Sequence, residues 1–211
     1  MDNILKFTYQ IFLIVLLITV FFGLLASPII YINLKQKYYF KKLSNKLHLK
    51  IDYGTNKIRR NLPKIFGEFK NTKVYIQAGI LGKYSYNTHY NTHKYASPVV
   101  KISVEINNPN IKKFKIIQKQ KFETKFNSNF DSYFKIEIES LEKQRVFLNN
   151  SIKQKIVNHT QKHPYFNVEL INGNLISIVN YELTNEKKYL SALNQFLLLM
   201  DIHKELQKQN K

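Results

Sequence analysis

The stretch FNVELINGNLISIVNY, residues 166–181, decides the class of fold. Apolar and polar side chains alternate on both sides of Asn172-Gly173, a dipeptide typical of two-residue hairpin turns. Alternation with a period of two indicates strands that bury one face and expose the other to water. The sequence therefore predicts antiparallel strand pairing and disfavours a doubly wound parallel sheet.

The same alternation recurs upstream, around residues 74–80, 100–106, 114–116 and 134–138. From Ser140 onwards the apolar spacing becomes helical, and a second helical stripe closes the chain near residues 190–200. We predict a helix that starts at Ser140 and another that ends the domain. The predicted fold class is α+β: an N-terminal transmembrane helix, then one domain of mainly antiparallel sheet with two or three helices on one face.

Residues 11–32 carry no charge. About 20 apolar helical residues are enough to cross a hydrocarbon core of about 30 Å. A cleaved signal peptide is the alternative, but its apolar region is usually shorter and Pro28 directly follows the small residues where cleavage would occur. The pattern predicts a retained membrane helix that meets the lipid bilayer through residues 11–32.

Basic residues cluster after this run, with nine Lys or Arg and one acid between Leu34 and Arg60. By the positive-inside rule this predicts a single-pass membrane protein with its C-terminal domain in the cytoplasm. The predicted division of the chain is a transmembrane anchor at 1–34, a basic juxtamembrane helix or linker at 35–60, a soluble α+β domain at 61–205 and a frayed tail at 206–211.

The whole chain is strongly basic, with 33 Lys and Arg, 14 Asp and Glu, and a formal net charge of +19. Such a charge favours association with anionic lipid headgroups or nucleic acid. Almost all of it is Lys, and Lys, Asn, Ile, Tyr and Phe have A/T-rich codons, so genomic background explains part of it. The absence of Cys excludes disulfides, thiolate metal sites and a cysteine nucleophile.

Lysines interleaved with aromatic residues between 112 and 125 are typical of a groove for single-stranded nucleic acid. No sequence signature of a DNA- or RNA-binding fold accompanies them. The residues predicted to bind an anionic surface are Lys35, Lys37, Lys41, Lys42, Lys46, Lys50, Lys112, Lys113 and Lys115.

Two histidine pairs have the four-residue spacing that places both rings on one face of a helix, His89 with His93 and His159 with His163. Such a pair can ligate zinc, but a metalloprotease also needs Glu after the first His. Tyr90 and Thr160 occupy those places, and no third ligand lies nearby. A metal-dependent hydrolase is therefore kept only as a third hypothesis.

The segment Phe130-Asp131-Ser132-Tyr133-Phe134 has an F-D-x-x-F pattern and precedes a strand, a helix, a hairpin and a leucine-rich helix. This order over residues 40–205 resembles a family of bacterial membrane-anchored proteins with a domain of unknown function. The resemblance implies an architecture and brings no catalytic residues. A plain structural role, in which Phe130 and Phe134 pack together, is the favoured explanation of the motif itself, since aromatic residues that flank a strand usually anchor packing.

Three functions follow from these patterns. The first is a non-enzymatic binding or scaffold module that has a protein partner and needs no cofactor. The second is a binder of an anionic polymer, such as nucleic acid, or of an anionic lipid surface. The third is the hydrolase that would use the His pairs.

Overall fold

The computed structural model describes residues 2–54, 62–81, 97–106, 111–119, 130–140, 148–162 and 166–208. These residues form four helices: α1 (Asp2–Leu47), α2 (Phe130–Tyr133), α3 (Asn150–Lys162) and α4 (Glu186–Lys208). They also form eight strands: β1 (Lys50–Asp52), β2 (Lys64–Phe69), β3 (Thr72–Leu81), β4 (Ser97–Glu105), β5 (Ile111–Gln118), β6 (Phe134–Ser140), β7 (Val168–Ile171) and β8 (Asn174–Val179).

The eight strands form one sheet in the order β1-β2-β3-β4-β8-β7-β5-β6, and every pairing is antiparallel. The antiparallel sheet predicted from the alternation is confirmed. The predicted hairpin turn joins β7 to β8, where Asn172 and Gly173 have φ angles of 49° and 73°. Positive φ at both central positions suits the right-handed twist of the two strands.

The core lies between one face of this sheet and three helices. Buried side chains of α3, α4 and the end of α1 join the inward residues of the strands in a single cluster. Phe196 of α4 is fully buried, and its ring packs edge-on against Phe69 at 5.2 Å between centroids. Asn185 caps α4 through a hydrogen bond that its Oδ1 accepts from the Lys188 backbone at 2.9 Å.

The end of α1 belongs to this core. Phe40 and Leu43 are fully buried, and the Lys42 ammonium lies 2.8 Å from the Glu186 carboxylate at the start of α4. His48, with a φ of 55°, then reverses the chain into β1. The residues predicted as a juxtamembrane linker therefore contribute to the packing of the domain.

The predicted transmembrane anchor at 1–34 is wrong. The predicted fold class that began with such a helix and the predicted single-pass membrane localisation are wrong for the same reason. Within the residues that the structure describes, no helix combines the length and apolar character required to cross a membrane. The apolar run at 11–32 is not a separate helix. It is part of the 46-residue α1, which continues without a break through lysine-bearing turns into the domain core.

The F-D-x-x-F segment has the structural role expected of it. The Phe130 and Phe134 rings stack with centroids 4.9 Å apart. The prediction that a helix starts at Ser140 is wrong, because Ser140 ends β6 and α3 begins at Asn150. Asn149 caps α3 by accepting a hydrogen bond from the Ile152 backbone at 2.9 Å.

Candidate functional site

The face of the sheet opposite the helices, here called the open face, carries the candidate site. On β3, Val74 and Ile76 are fully buried whereas Tyr75 between them is 52% exposed. Successive side chains of a strand point to opposite faces, so Tyr75 lies on the side away from the core. The buried cluster that includes residues of α1, α3 and α4 lies on the other side of the sheet, with Val74 and Ile76.

One row of paired residues crosses the open face from edge to edge. The register of the seven strand pairings aligns Lys50, Phe66, Tyr75, Ser103, Ile176, Glu169, Lys115 and Glu137. Neighbouring positions in such a row are about 4.8 Å apart. Because of this spacing, only side chains on neighbouring strands of the row can contact the same small ligand.

A slot interrupts this row at Ser103, its smallest side chain. Tyr75 and Ile176 stand on either side, two strand spacings or about 9.6 Å apart. The resulting cavity has a volume of about 360 Å³. Side chains of several chemical types line it: Tyr75, Gln77, Lys101, Ser103, Asn174 and Ile176.

Tyr75, the aromatic side chain that lines the slot, packs against Phe66 on the side away from the slot. The Phe66 and Tyr75 rings are nearly parallel, with an interplanar angle of 18° and centroids 6.5 Å apart. Phe66 lies on the β2 side of Tyr75, so the opposite face of the Tyr75 ring is turned towards β4 and the slot.

The polar groups of the slot are partly fixed by one another. The Ser103 hydroxyl donates to Asn174 Oδ1 at 3.3 Å, and Asn174 Nδ2 donates to the Asn172 carbonyl at 3.1 Å. The Asn174 amide is thereby oriented at the end of the slot. Gln77 and Lys101 are exposed on the other side and are paired with each other in the strand register.

Ion pairs neutralise most charges of the open face, but not that of Lys101 in the slot. Lys73 pairs with Glu105 at 3.4 Å, and Lys115 pairs with Glu169 at 3.4 Å. Further out, the Lys135 ammonium beside Glu137 lowers the pKa of that carboxyl. Among the residues described, no carboxylate lies within ion-pair distance of Lys101 or Lys50. Glu68, exposed beside Lys73 in the register, is likewise outside the ion pairs of the described residues and offsets one of these two cations.

A second cavity of about 500 Å³ lies between α3, α4 and the β2–β3 turn. Its floor is apolar, with Phe69 and Leu198, and its rim carries the Lys155–Asp201 ion pair at 2.6 Å. Lys70, Asn158, His159 and Asn194 also line this cavity. Within the described residues, it lacks an exposed aromatic ring beside its polar groups of the kind that Tyr75 gives the slot, since Phe69 packs against the core residue Phe196.

The lysines predicted to bind an anionic surface fall into two places. Those up to residue 46 lie on α1 and Lys50 lies on β1, whereas Lys112, Lys113 and Lys115 lie on β5. Lys113 lies 3.9 Å from Glu137, and Phe114 beside it is fully buried, so this ring is not available for stacking on a base. The side chain of Lys112 is outside the described residues.

Neither histidine pair forms a metal site within the residues that the structure describes. His159 lies on α3, 8% exposed, with its ring edge-on to Phe166 at 5.8 Å. His89, His93 and His163 are outside the described residues. In the parts of the chain that the structure covers, no three His, Asp or Glu side chains come together to hold a metal ion.

Sequence reasoning missed the slot itself. Tyr75, Lys101 and Ser103 occupy outward positions of the alternating strands, and the pattern does predict that they face away from the core. What it lacks is the strand order, because β4 pairs with β8 across a separation of about 75 residues. Only that pairing places Ile176 opposite Ser103.

Comparison with protein-family models, with curated proteins and with solved structures found no match to this chain. The resemblance to a bacterial membrane-anchored family stays a prediction.

Proposed function

We propose that this chain is a non-enzymatic binding module that takes a planar group of its ligand into the slot on the open face. The observation that carries the proposal is Ser103 between Tyr75 and Ile176 in one row. A small residue between two large ones leaves a gap one side chain wide. A ring placed midway would lie about 4.8 Å from the Tyr75 position, within the usual separation of aromatic pairs.

The lining supports recognition of a ligand with both a ring and polar groups. Tyr75 and Ile176 offer apolar walls, whereas Gln77, Asn174 and Lys101 offer hydrogen-bond donors, acceptors and a positive charge. Binding sites of this size typically combine an apolar lining with a few placed polar groups. The antiparallel strands that carry these residues are rigid supports, which favours a preformed site.

Nuclear magnetic resonance with a library of small aromatic and aliphatic fragments tests this proposal. We expect aromatic fragments to shift the backbone amide signals of residues 75–77, 101–103 and 174–176. The replacement Ser103→Leu fills the slot and is expected to abolish these shifts.

Ser132→Leu, at an exposed position of α2, is the matched control and should leave the fragment-induced shifts unchanged. Thermal unfolding of both variants checks that they fold. Aromatic fragments that bind only between α3 and α4, or that bind the Ser103→Leu variant as well as the unaltered chain, would contradict the proposed site.

A further inference from the structure

We infer that the ligand of the open face is single-stranded nucleic acid, with one base in the slot beside Tyr75 and its phosphate at Lys101. This inference rests on the proposed function and names the chemistry of the ligand.

Tyr75 offers an aromatic ring on which a base can stack. Tyr75 as a residue is 52% exposed, and the Phe66 ring is stacked beside its ring at 6.5 Å between centroids. A ring supported in this way loses little further freedom when a base stacks on its free side. Stacking of a base on an aromatic side chain tolerates every base, since each has a π-face.

Hydrogen bonding separates a nucleobase from a purely apolar ring. The edge of a base carries donors and acceptors, and amide side chains can match both kinds. Gln77 and Asn174 supply amides in the rows on either side of Ser103. The Asn174 amide is already held by Ser103 and by the Asn172 carbonyl. A base between Tyr75 and Ile176 would therefore present its edge to groups that can read it.

Charge favours a phosphate on this face. Glu105 and Glu169, the carboxylates nearest the slot, are paired with Lys73 and Lys115. Among the residues described, Lys101 has no carboxylate partner, so its full positive charge is available to a ligand. The chain as a whole carries a formal net charge of +19, which attracts polyanions from a distance.

Repetition favours a strand over a free nucleotide. Next to Tyr75 in the row stands a second ring, Phe66, and next to Phe66 stands a second cation, Lys50. Lys50 also lacks a carboxylate partner within the described part of the chain. Because one side of Phe66 lies against Tyr75, a second base could stack only on the Lys50 side, three strand spacings or about 14 Å from the slot. The two sets of ring and cation therefore match two nucleotides of one strand that are not successive. A free nucleotide would engage only one set.

The test is fluorescence anisotropy of a labelled ten-nucleotide oligouridylate with the full-length chain. A non-ionic detergent is included to suppress association through the exposed apolar side chains of α1. Tyr75→Ala should weaken binding about 5- to 150-fold, because it removes the stacking partner. Lys101→Gln should reduce the slope of log affinity against log salt by about 0.7.

Lys204→Gln on α4 is the matched control, since it removes one exposed positive charge remote from the slot. It should lower affinity less than Lys101→Gln does. Equal losses for Lys101→Gln and Lys204→Gln, with no effect of Tyr75→Ala, would overturn the inference in favour of a diffuse charge effect. Uridine monophosphate that binds as tightly as the oligonucleotide would overturn the assignment of a strand.

Failure here is distinguishable from failure of the proposed function. If aromatic fragments shift the slot amides while the oligouridylate does not bind, the slot remains a ligand site and the nucleic-acid assignment is wrong. If neither binds at the slot, both are wrong.

Discussion

Replacing Phe40 with Ala tests whether the end of α1 is part of the folded domain. The Phe40 ring is fully buried and belongs to the same cluster as the inward side chains of the sheet. Truncating a buried Phe to Ala typically costs about 3–5 kcal/mol in unfolding free energy, from lost transfer energy and the remaining cavity. For a domain of this size that corresponds to a fall of roughly 6–20 °C in Tm.

The assay is thermal unfolding followed by circular dichroism, with Tyr38→Ala as the matched control. Tyr38 is 59% exposed on the same helix, so its truncation should change the unfolding free energy by no more than about 0.5 kcal/mol. Equal Tm values for Phe40→Ala and Tyr38→Ala would refute the packing of α1 into the core. The segment would then behave as the independent linker that the sequence alone predicts.

Three further changes probe the interior of the domain. Burial lowers the pKa of His203, so the folded state resists protonation, whereas the unfolded chain takes up a proton near pH 6.5. The unfolding free energy should therefore fall between pH 7 and pH 5. Urea titrations should show a smaller fall for His203→Leu than for the control His48→Asn. Ser177→Ala removes a hydroxyl that accepts a hydrogen bond from the buried Gln195 amide at 2.6 Å and donates one to the Asn167 carbonyl at 2.8 Å. Urea unfolding should show a loss of about 1–3 kcal/mol in unfolding free energy. Adding Gln195→Leu should restore part of this loss, because it removes the unpaired amide but not the unpaired carbonyl, and additive losses would contradict the contact. Gly67→Ala should lower Tm, because φ is +145° at this position and the new Cβ would lie 3.2 Å from a Leu49 methyl group. An unchanged Tm would contradict this backbone conformation.

Local pattern was enough to predict the kind of sheet and its best-defined turn. The alternation fixes which side chains are inward, and Asn172-Gly173 fixes a hairpin because both residues accept positive φ. Local pattern misled where one signal has two explanations. The uncharged apolar run predicts a membrane span, whereas in the structure it is part of α1, which continues to Leu47, and no described helix is long and apolar enough to cross a membrane.

The candidate site required information that no single segment contains. Tyr75 lies on β3, Ser103 on β4 and Ile176 on β8, and their alignment depends on the order of the strands. The predicted anionic-surface lysines were also misjudged because the strand order was unknown. Lys113 and Lys115 look free in the sequence, but the β5–β6 and β5–β7 pairings bring carboxylates to them. Lys101 carries no such signal in the sequence, and the structure places it beside an aromatic slot.

Photo-crosslinking tests the open face most directly. The full-length chain is irradiated with an oligouridylate that contains 4-thiouridine, and the crosslinked peptides are identified by mass spectrometry. The account predicts crosslinks to the tryptic peptide 74–83 at Tyr75 and their loss in Ser103→Leu. Crosslinks confined to residues 35–47 of α1, or to the cavity between α3 and α4, would contradict it.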